Sequence, residues 1–227
     1  EYVSDHVAHA TMEPMNATAK FADGKFEIWA PTQASGLIQV VGAHVFKTTP
    51  DKITVHTTFL GGGFGRRFEL DFAFDAMGLA KATGGKPVKV IWSREDDIAN
   101  DKFRPLVGKT IKIGLDAQGN IVGWHHRLVG ESIFARAIPD AFKAAKGRDA
   151  SFDDGAELVY DVPAHQIDFL RQQRGVDVGF WRAVGAGYTK FAIETMIDEV
   201  AREKKMDPVA FRLELLKKKP RAAAVVK

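Results

Sequence analysis

The sequence predicts an α+β fold of mixed sheets with hairpins and packed helices. Three observations carry that prediction. Two turn signals, Asp23-Gly24 inside "ATAKFADGKFEIWAP" and "DAQGN" at Asp116–Asn120, each sit between alternating apolar and polar runs, the pattern of β-hairpins. "KITVHTTFL" reads as a strand and leads through the glycine-rich "GGGFGRR" into a helical run. The residues from near Thr189 onward carry helical periodicity twice.

In chain order, a helix is expected over Thr32 to Phe46, with Leu37, Val40, Val41 and His44 on one face. A strand over Ile53 to Leu60 follows. The next helix runs from near Glu69 to Thr83, with Leu70, Ala73, Phe74, Met77 and Ala80 at helical spacing and Gly84 as its stop. "KPVKVIW" is a continuous apolar run and reads as a buried strand. Two long strands flank the turn between Lys109 and Ile133, and Ala135 to Gly155 reads as a short helix and a loop. "VYDVPAHQIDFLRQ" resembles a strand broken at Pro163. Helices then span Thr189 to Lys204 and Pro208 to Lys219, the second with Asp207 as N-cap and Pro208 at its first position. Two subdomains, about 1–105 and 106–227, would accommodate this order.

Composition removes several function classes. The net charge is +3, which gives no electrostatic case for nucleic-acid binding. There is no cysteine, so this chain supplies no disulfide, iron–sulfur ligand or thiolate nucleophile. Ser35, Ser93, Ser132 and Ser151 lack a nucleophile-elbow context. No apolar run approaches membrane-spanning length, and no signal peptide is visible. "EYVSDHVAH" reads as mid-domain sequence, the expectation for one segment of a longer polypeptide.

Two glycine-rich stretches suit an anion. A strand, a bare loop and a helix N-terminus bring unpaired N–H groups and a positive dipole end to one place. "GGGFGRR" does this before one helix, and "RAVGAGYTK" (Arg182–Lys190) before another, with Arg66, Arg67 and Arg182 as cations suited to phosphate. Neither stretch fits the P-loop or the dinucleotide fingerprint. The competing reading is a tight turn whose glycines serve packing alone.

"WAPTQ", then Phe64 of "GGGFG", then "GFWRAVG" together resemble the molybdenum-binding subunit of the xanthine oxidase and aldehyde oxidase family. "HATMEPMNATA", "KPVKVIWSREDDI" and "IDEVAREKKMDPVAFRLELL" resemble its isoquinoline 1-oxidoreductase and membrane-bound aldehyde dehydrogenase branch. The resemblance covers essentially the whole chain. It implies molybdenum held by molybdopterin cytosine dinucleotide, with no protein side chain ligating the metal. It also implies oxidative hydroxylation of an aldehyde or N-heteroaromatic substrate, with water as oxygen source and two electrons leaving through [2Fe–2S] clusters.

On the matching positions, Gln33 would donate its amide to an oxo group, and Phe64 would lie over the metal. Gly62, Gly63 and Gly65 would clear space around the cofactor. Arg66, Arg67, Arg182, Ala183 and Gly185 complete the expected cofactor contacts, and Phe68, Glu69 and Val184 the substrate pocket. Gln33, Phe64 and Arg182 are the expected catalytic positions. The purine-oxidising members' glutamate is replaced by Phe68, and Ser151 and Phe152 fall where their substrate-polarising arginine is sought, with Arg148 a poor substitute. Both departures favour an apolar substrate, an aldehyde first.

The family's catalytic Gly-x-Gly-Glu is absent, as is its hammerhead-like domain. The expected partners are therefore the remainder of the catalytic subunit carrying that motif, a small subunit with two [2Fe–2S] clusters, and a cytochrome c acceptor. Alone, the chain is expected to be inactive. A bacterial periplasmic or periplasm-facing location is expected, with the cytoplasm as the alternative. The rival readings are a non-catalytic cofactor-binding or insertion protein and a generic nucleotide-binding protein. His6, His9 and Glu13 are read as ordinary polar residues in preference to a metal site. Adjacent His125 and His126 would point to opposite faces of a strand, and Glu95, Asp96 and Asp97 are read as a solvated turn.

Overall fold

The computed structural model describes residues 1–227. The elements begin with β1 (Tyr2–Ser4), β2 (Asn16–Ala22), β3 (Lys25–Ala30), α1 (Ser35–Val45), β4 (Ile53–Thr57), α2 (Asp71–Ala82), β5 (Val88–Ile91) and α3 (Arg94–Ala99). They continue with β6 (Val107–Leu115), β7 (Ile121–Gly130), α4 (Ile133–Ala137), α5 (Pro139–Ala144), β8 (Ala164–Arg171), α6 (Val184–Glu203), α7 (Pro208–Leu215) and α8 (Pro220–Val226). None of these helices is long and apolar enough to cross a membrane. The chain divides into two compact units. One holds 7–104 and 179–182, and the other 1–6, 105–178 and 183–227.

The unit of residues 7–104 and 179–182 is a two-layer α/β sandwich. Its sheet runs β4-β3-β2-β5, with β3 and β4 parallel and the other pairs antiparallel. The Asp23-Gly24 hairpin joins β2 to β3, and α1 makes the crossover from β3 to β4. Met15, Ala17, Phe26, Ile28, Ile38, Ile53, Phe72 and Met77 form the core between sheet and helices.

Helix α1 uses a different face from the one its periodicity suggests. Ile38, Gly42 and Ala43 are buried, whereas Leu37, Val40, Val41 and Val45 are exposed. A Cβ at Gly42 would stand 3.4 Å from the Ile53, Met77 and Phe74 side chains. The helix seats its small residues because the layers approach that closely, and its larger aliphatic stripe turns outward. Strand β5 is a sheet edge with alternating burial, not a fully buried strand. The acidic run after β5 caps α3 through a Ser93–Asp96 capping box. Asp97 is not solvated as expected; it is buried and paired with Arg94 at 2.6 Å.

The other unit has a β1-β6-β7-β8 sheet in which only β7 and β8 are parallel. Its core joins Ile111, Ile121 and Trp124 to Ile193, Ile197 and Val200 of α6 and Phe211 of α7. Helix α6 begins at Val184, five residues before the expected start, and places the glycines of "RAVGAGYTK" inside its first turns. The reason is close approach: a Cβ on Gly185 would lie 2.6 Å from the Ser151 carbonyl oxygen and 2.8 Å from that of Asp154. After α7, Pro220 opens a further helix where the sequence suggested a fraying basic end.

His126 on β7 is fully buried, and neither ring nitrogen has a hydrogen-bond partner. Burial, followed by the nearby Lys109 charge, pushes it down from 6.5 to about 4. A native group that resists protonation loses stability as pH falls, because the unfolded chain takes up the proton first. Between 6.5 and about 4 the loss should reach about 3 kcal/mol. Denaturant unfolding of the chain and of His126→Leu across that range is the check. The variant should lose most of the pH slope, and an unchanged slope would assign it to other groups.

Candidate functional site

The glycine loop between β4 and α2 is fastened on both sides. The Gln33 N–H donates to the Arg67 carbonyl at 3.0 Å, and the Thr32 hydroxyl donates to the same oxygen at 3.2 Å. These bonds hold the end of β3 against a short 3-10 turn at Arg66–Phe68. On the other side, Glu13 and Gly61 bond reciprocally, through Glu13 N–H to the Gly61 carbonyl at 3.1 Å and Gly61 N–H to Glu13 Oε2 at 2.9 Å.

Gln33 is exposed, and its side chain is oriented by the loop. Its Oε1 accepts from the Gly65 N–H at 3.0 Å. A backbone N–H can only donate, so the amide oxygen must face Gly65 and the NH2 group must turn outward. Phe64 stands beside it, 45% exposed, with φ at +54° in the left-handed region that disfavours a side chain. Arg182 is also exposed, and its guanidinium makes no bond within the chain.

The loop glycines serve purposes the sequence does not show. A Cβ on Gly63 would stand 2.5 Å from Gln33 Oε1. One on Gly65, whose φ is +105°, would stand 1.7 Å from the Phe180 carbonyl oxygen. At Gly65 the bare backbone is required by the backbone of another segment of this chain, whereas at Gly63 the neighbour is the end of the Gln33 side chain. Gly62, with φ at +99°, takes the left-handed conformation of the turn itself.

Arg66 and Arg67 correct the expectation of phosphate-binding guanidiniums. Both are completely buried. Arg66 makes two 2.9 Å hydrogen bonds to the Asp71 carboxylate and lies over the Trp92 ring. Arg67 reaches Glu13 Oε2 and the Glu13 carbonyl at 2.8 Å, the Gly62 carbonyl at 2.8 Å, and those of Pro31 and Pro14 at 3.2 and 3.3 Å. These cations are spent on holding the loop, so Arg182 is the expected cofactor-side arginine whose charge stays available.

The segment Gly179–Arg182 belongs to the same unit as the loop. Gly179 N–H donates to the Phe103 carbonyl at 3.0 Å, and Phe180 meets Phe68 edge-on at 5.3 Å between centroids. The Phe180 carbonyl lies on Gly65 and accepts from the His9 ring at 2.9 Å. Phe68 is 39% exposed, and Glu69 lies against Gly179. Of the remaining expected positions, Ala183 and Val184 have φ of +68° and +46°. Gly185 is buried against the 151–154 backbone, which corrects its expected place at the cofactor. Phe152 is a core residue, and Ser151 is bonded to Asp149, so neither could stand in for a substrate-polarising group.

His9, Glu13 and Asp101 are the site-supporting residues that sequence reasoning missed. His9 and Glu13 sit together in "HATMEP", and that proximity was the available signal. Asp101 has none, because its contact with His9 spans 92 positions.

Residues 1–216 match the molybdopterin cofactor-binding domain family. The isoquinoline 1-oxidoreductase subunit beta of Brevundimonas diminuta is 40% identical over all of this chain and 29% of its own length. A membrane-bound aldehyde dehydrogenase (pyrroloquinoline-quinone) of Gluconacetobacter polyoxogenes is 34% identical over 95% of the chain and 29% of its own length. The chain thus spans under a third of these relatives. Among solved structures, the aldehyde oxidoreductase of Desulfovibrio gigas superposes with a TM-score of 0.77 at 21% identity, covering 94% of this chain and 23% of that one. At that identity the likeness shows the fold. The family match over nearly the whole sequence leads to one conclusion: the chain belongs to the molybdopterin cofactor-binding domain family.

Proposed function

We propose that this chain is the part of a molybdenum hydroxylase that presents Gln33, Phe64 and Arg182 to a molybdopterin cytosine dinucleotide. The observation that carries the reading is the Gln33 amide, fixed by the Gly65 N–H so that its NH2 group faces outward. Gln33 and Arg182 offer donors and positive charge, and the Phe64 N–H makes no bond within the chain. A donor-rich, exposed corner fits an anionic, oxygen-bearing cofactor. When bound, the cofactor supplies a metal that activates water and accepts two electrons.

The chain's own residues bind and orient. Gln33 donates a neutral hydrogen bond that adds no charge at the metal, and Arg182 offers a cation to the cofactor's phosphates. The half-exposed Phe68 ring offers the substrate side an apolar face, suited to an aldehyde or an N-heteroaromatic ring. The names of the relatives, isoquinoline 1-oxidoreductase and aldehyde dehydrogenase, support that substrate class. The proton-accepting glutamate and the [2Fe–2S] clusters would come from the rest of the catalytic polypeptide and a small partner subunit.

The test is metal and nucleotide analysis of the native complex carrying this chain, with Gln33→Ala beside it. The expected result is stoichiometric molybdenum and released CMP in both proteins, with turnover of the variant down by about a hundredfold. A native complex filled by another nucleotide and free of molybdenum overturns the proposal. Unchanged turnover in Gln33→Ala removes the role given to the amide.

A further inference from the structure

Between the two segments of the site lies a buried histidine that the proposed chemistry does not use. The His9 side chain is 1% exposed and its Asp101 partner 2%. Nε2 lies 2.9 Å from the Phe180 carbonyl oxygen, and Nδ1 lies 2.9 Å from Asp101 Oδ1. The His9 backbone N–H donates to the other carboxylate oxygen at 2.6 Å, and the Lys102 N–H donates to Oδ1 at 2.7 Å.

Hydrogen-bond arithmetic settles the form of the ring. A carbonyl oxygen only accepts, so Nε2 must carry a hydrogen. Burial pushes the Asp101 carboxyl up, but the His9 ring and backbone donors outweigh it and hold it below the usual range, so it too only accepts. Either neutral tautomer would therefore set a ring lone pair against an oxygen at 2.9 Å. Only the doubly protonated imidazolium satisfies both contacts. The surrounding charges match: Arg66 Nε lies 3.3 Å from Asp101 Oδ1, at ion-pair distance without hydrogen-bond alignment, and its two terminal nitrogens are taken by Asp71. Two cations thus face two carboxylates. Asp97, which is also buried, is paired with Arg94.

The geometry points to His9 as a positioning residue: a buried imidazolium, held by Asp101, clamps the Phe180 carbonyl onto Gly65 and so fixes the Phe180–Arg182 segment against the glycine loop. The same Gly65 donates its N–H to Gln33, so the clamp and the amide meet on one residue. The clamp's effect on a cofactor rests on the functional reading above, whereas the clamp itself is a property of this chain.

The test uses the native complex with His9→Asn and His9→Gln. An asparagine amide reaches Asp101 but not Phe180, while a glutamine amide can donate to the Phe180 carbonyl. Hydrogen exchange at residues 179–182 should be faster by about tenfold or more in His9→Asn and near wild type in His9→Gln. Molybdenum content should fall only in His9→Asn. Unchanged exchange in His9→Asn, or equal exposure of the segment in both variants with the rest of the unit protected, overturns the clamp. A wild-type measurement guards against variants that do not fold. Nitrogen-15 spectra of the wild type should show one histidine whose Nε2 hydrogen is retained against exchange with water, as a buried donor to the Phe180 carbonyl requires. Its absence also overturns the clamp. Exchange and ring spectra need no cofactor, so a molybdenum-free wild type would sink the functional reading and leave the clamp to be judged on these two readouts.

Discussion

Gly65→Ala should be the most damaging single-methyl change in the chain. Its new Cβ would stand 1.7 Å from the Phe180 carbonyl oxygen and 2.6 Å from the carbonyl carbon, both backbone atoms that cannot rotate away. The residue also holds φ at +105°, a conformation that an alanine occupies only with strain. Relief requires either moving the 179–182 segment off the loop or rebuilding the turn, and each releases the Gln33 amide from the Gly65 N–H. Overpacking and backbone strain together should cost roughly 3–5 kcal/mol. Denaturant unfolding measures the stability, and molybdenum retention in the native complex measures the site. Gly78→Ala is the control, since nothing lies within 4 Å of a Cβ there. On the exposed side of α2 it should stabilise by up to about 1 kcal/mol. Similar midpoints for the two variants would show that the close approach at Gly65 relaxes without cost.

What the sequence could reveal follows from how far each cause reaches along the chain. Hairpins and capped helices are specified by neighbours a few positions apart, so the Asp23-Gly24 turn, the Asp207 cap and the Ile193–Ile197–Val200 stripe could be read directly. Helix α1 shows the limit. Its pattern contains two apolar stripes, and periodicity favours the larger one, Leu37–Val40–Val41. Which stripe faces the sheet depends on the approach of Ile53, Phe74 and Met77 around Gly42, and that is a tertiary fact. The glycine loop was visible as a loop, and its place in the family was visible in "WAPTQ" and "GFWRAVG". The assignment of its arginines could not be read, because an arginine suited to phosphate is equally suited to backbone carbonyls. Burial decides between them, and for Arg67 it arises from a segment as distant as Glu13. Nothing local marks the exchange of residues 179–182 into the unit of residues 7–104. Without that exchange the contacts of Gly65 and His9 have no explanation.

Arg67→Met should destabilise the same unit by about 3–5 kcal/mol, the range for removing one side of a buried charged network. The question is which of its partners matters. Glu13 is the ionic one, at 2.8 Å, but its side chain is 36% exposed. Burial pushes the Glu13 carboxyl up, and the Gly61 N–H and then the Asn16 amide outweigh it, with the Arg67 charge coming after both. The carboxylate would therefore remain well held without Arg67. Arg67 itself is pushed down by burial, with Glu13 as the leading compensation. The two partners thus depend on each other unequally, and the deeper residue has more to lose. Of its carbonyl acceptors, those of Gly62 and Pro31 are left unpaired when the guanidinium goes, while those of Glu13 and Pro14 keep the Thr11 hydroxyl and the Asn16 amide, and each unpaired acceptor costs about 1–3 kcal/mol. A double-mutant cycle separates the two contributions. Glu13→Gln keeps an acceptor for the Gly61 N–H and should cost about 1 kcal/mol or less. Added to Arg67→Met, it should recover little of the loss, because the stranded carbonyls remain. Recovery of most of the stability in the double variant would make the ion pair, not the carbonyl cluster, the fastening of the loop.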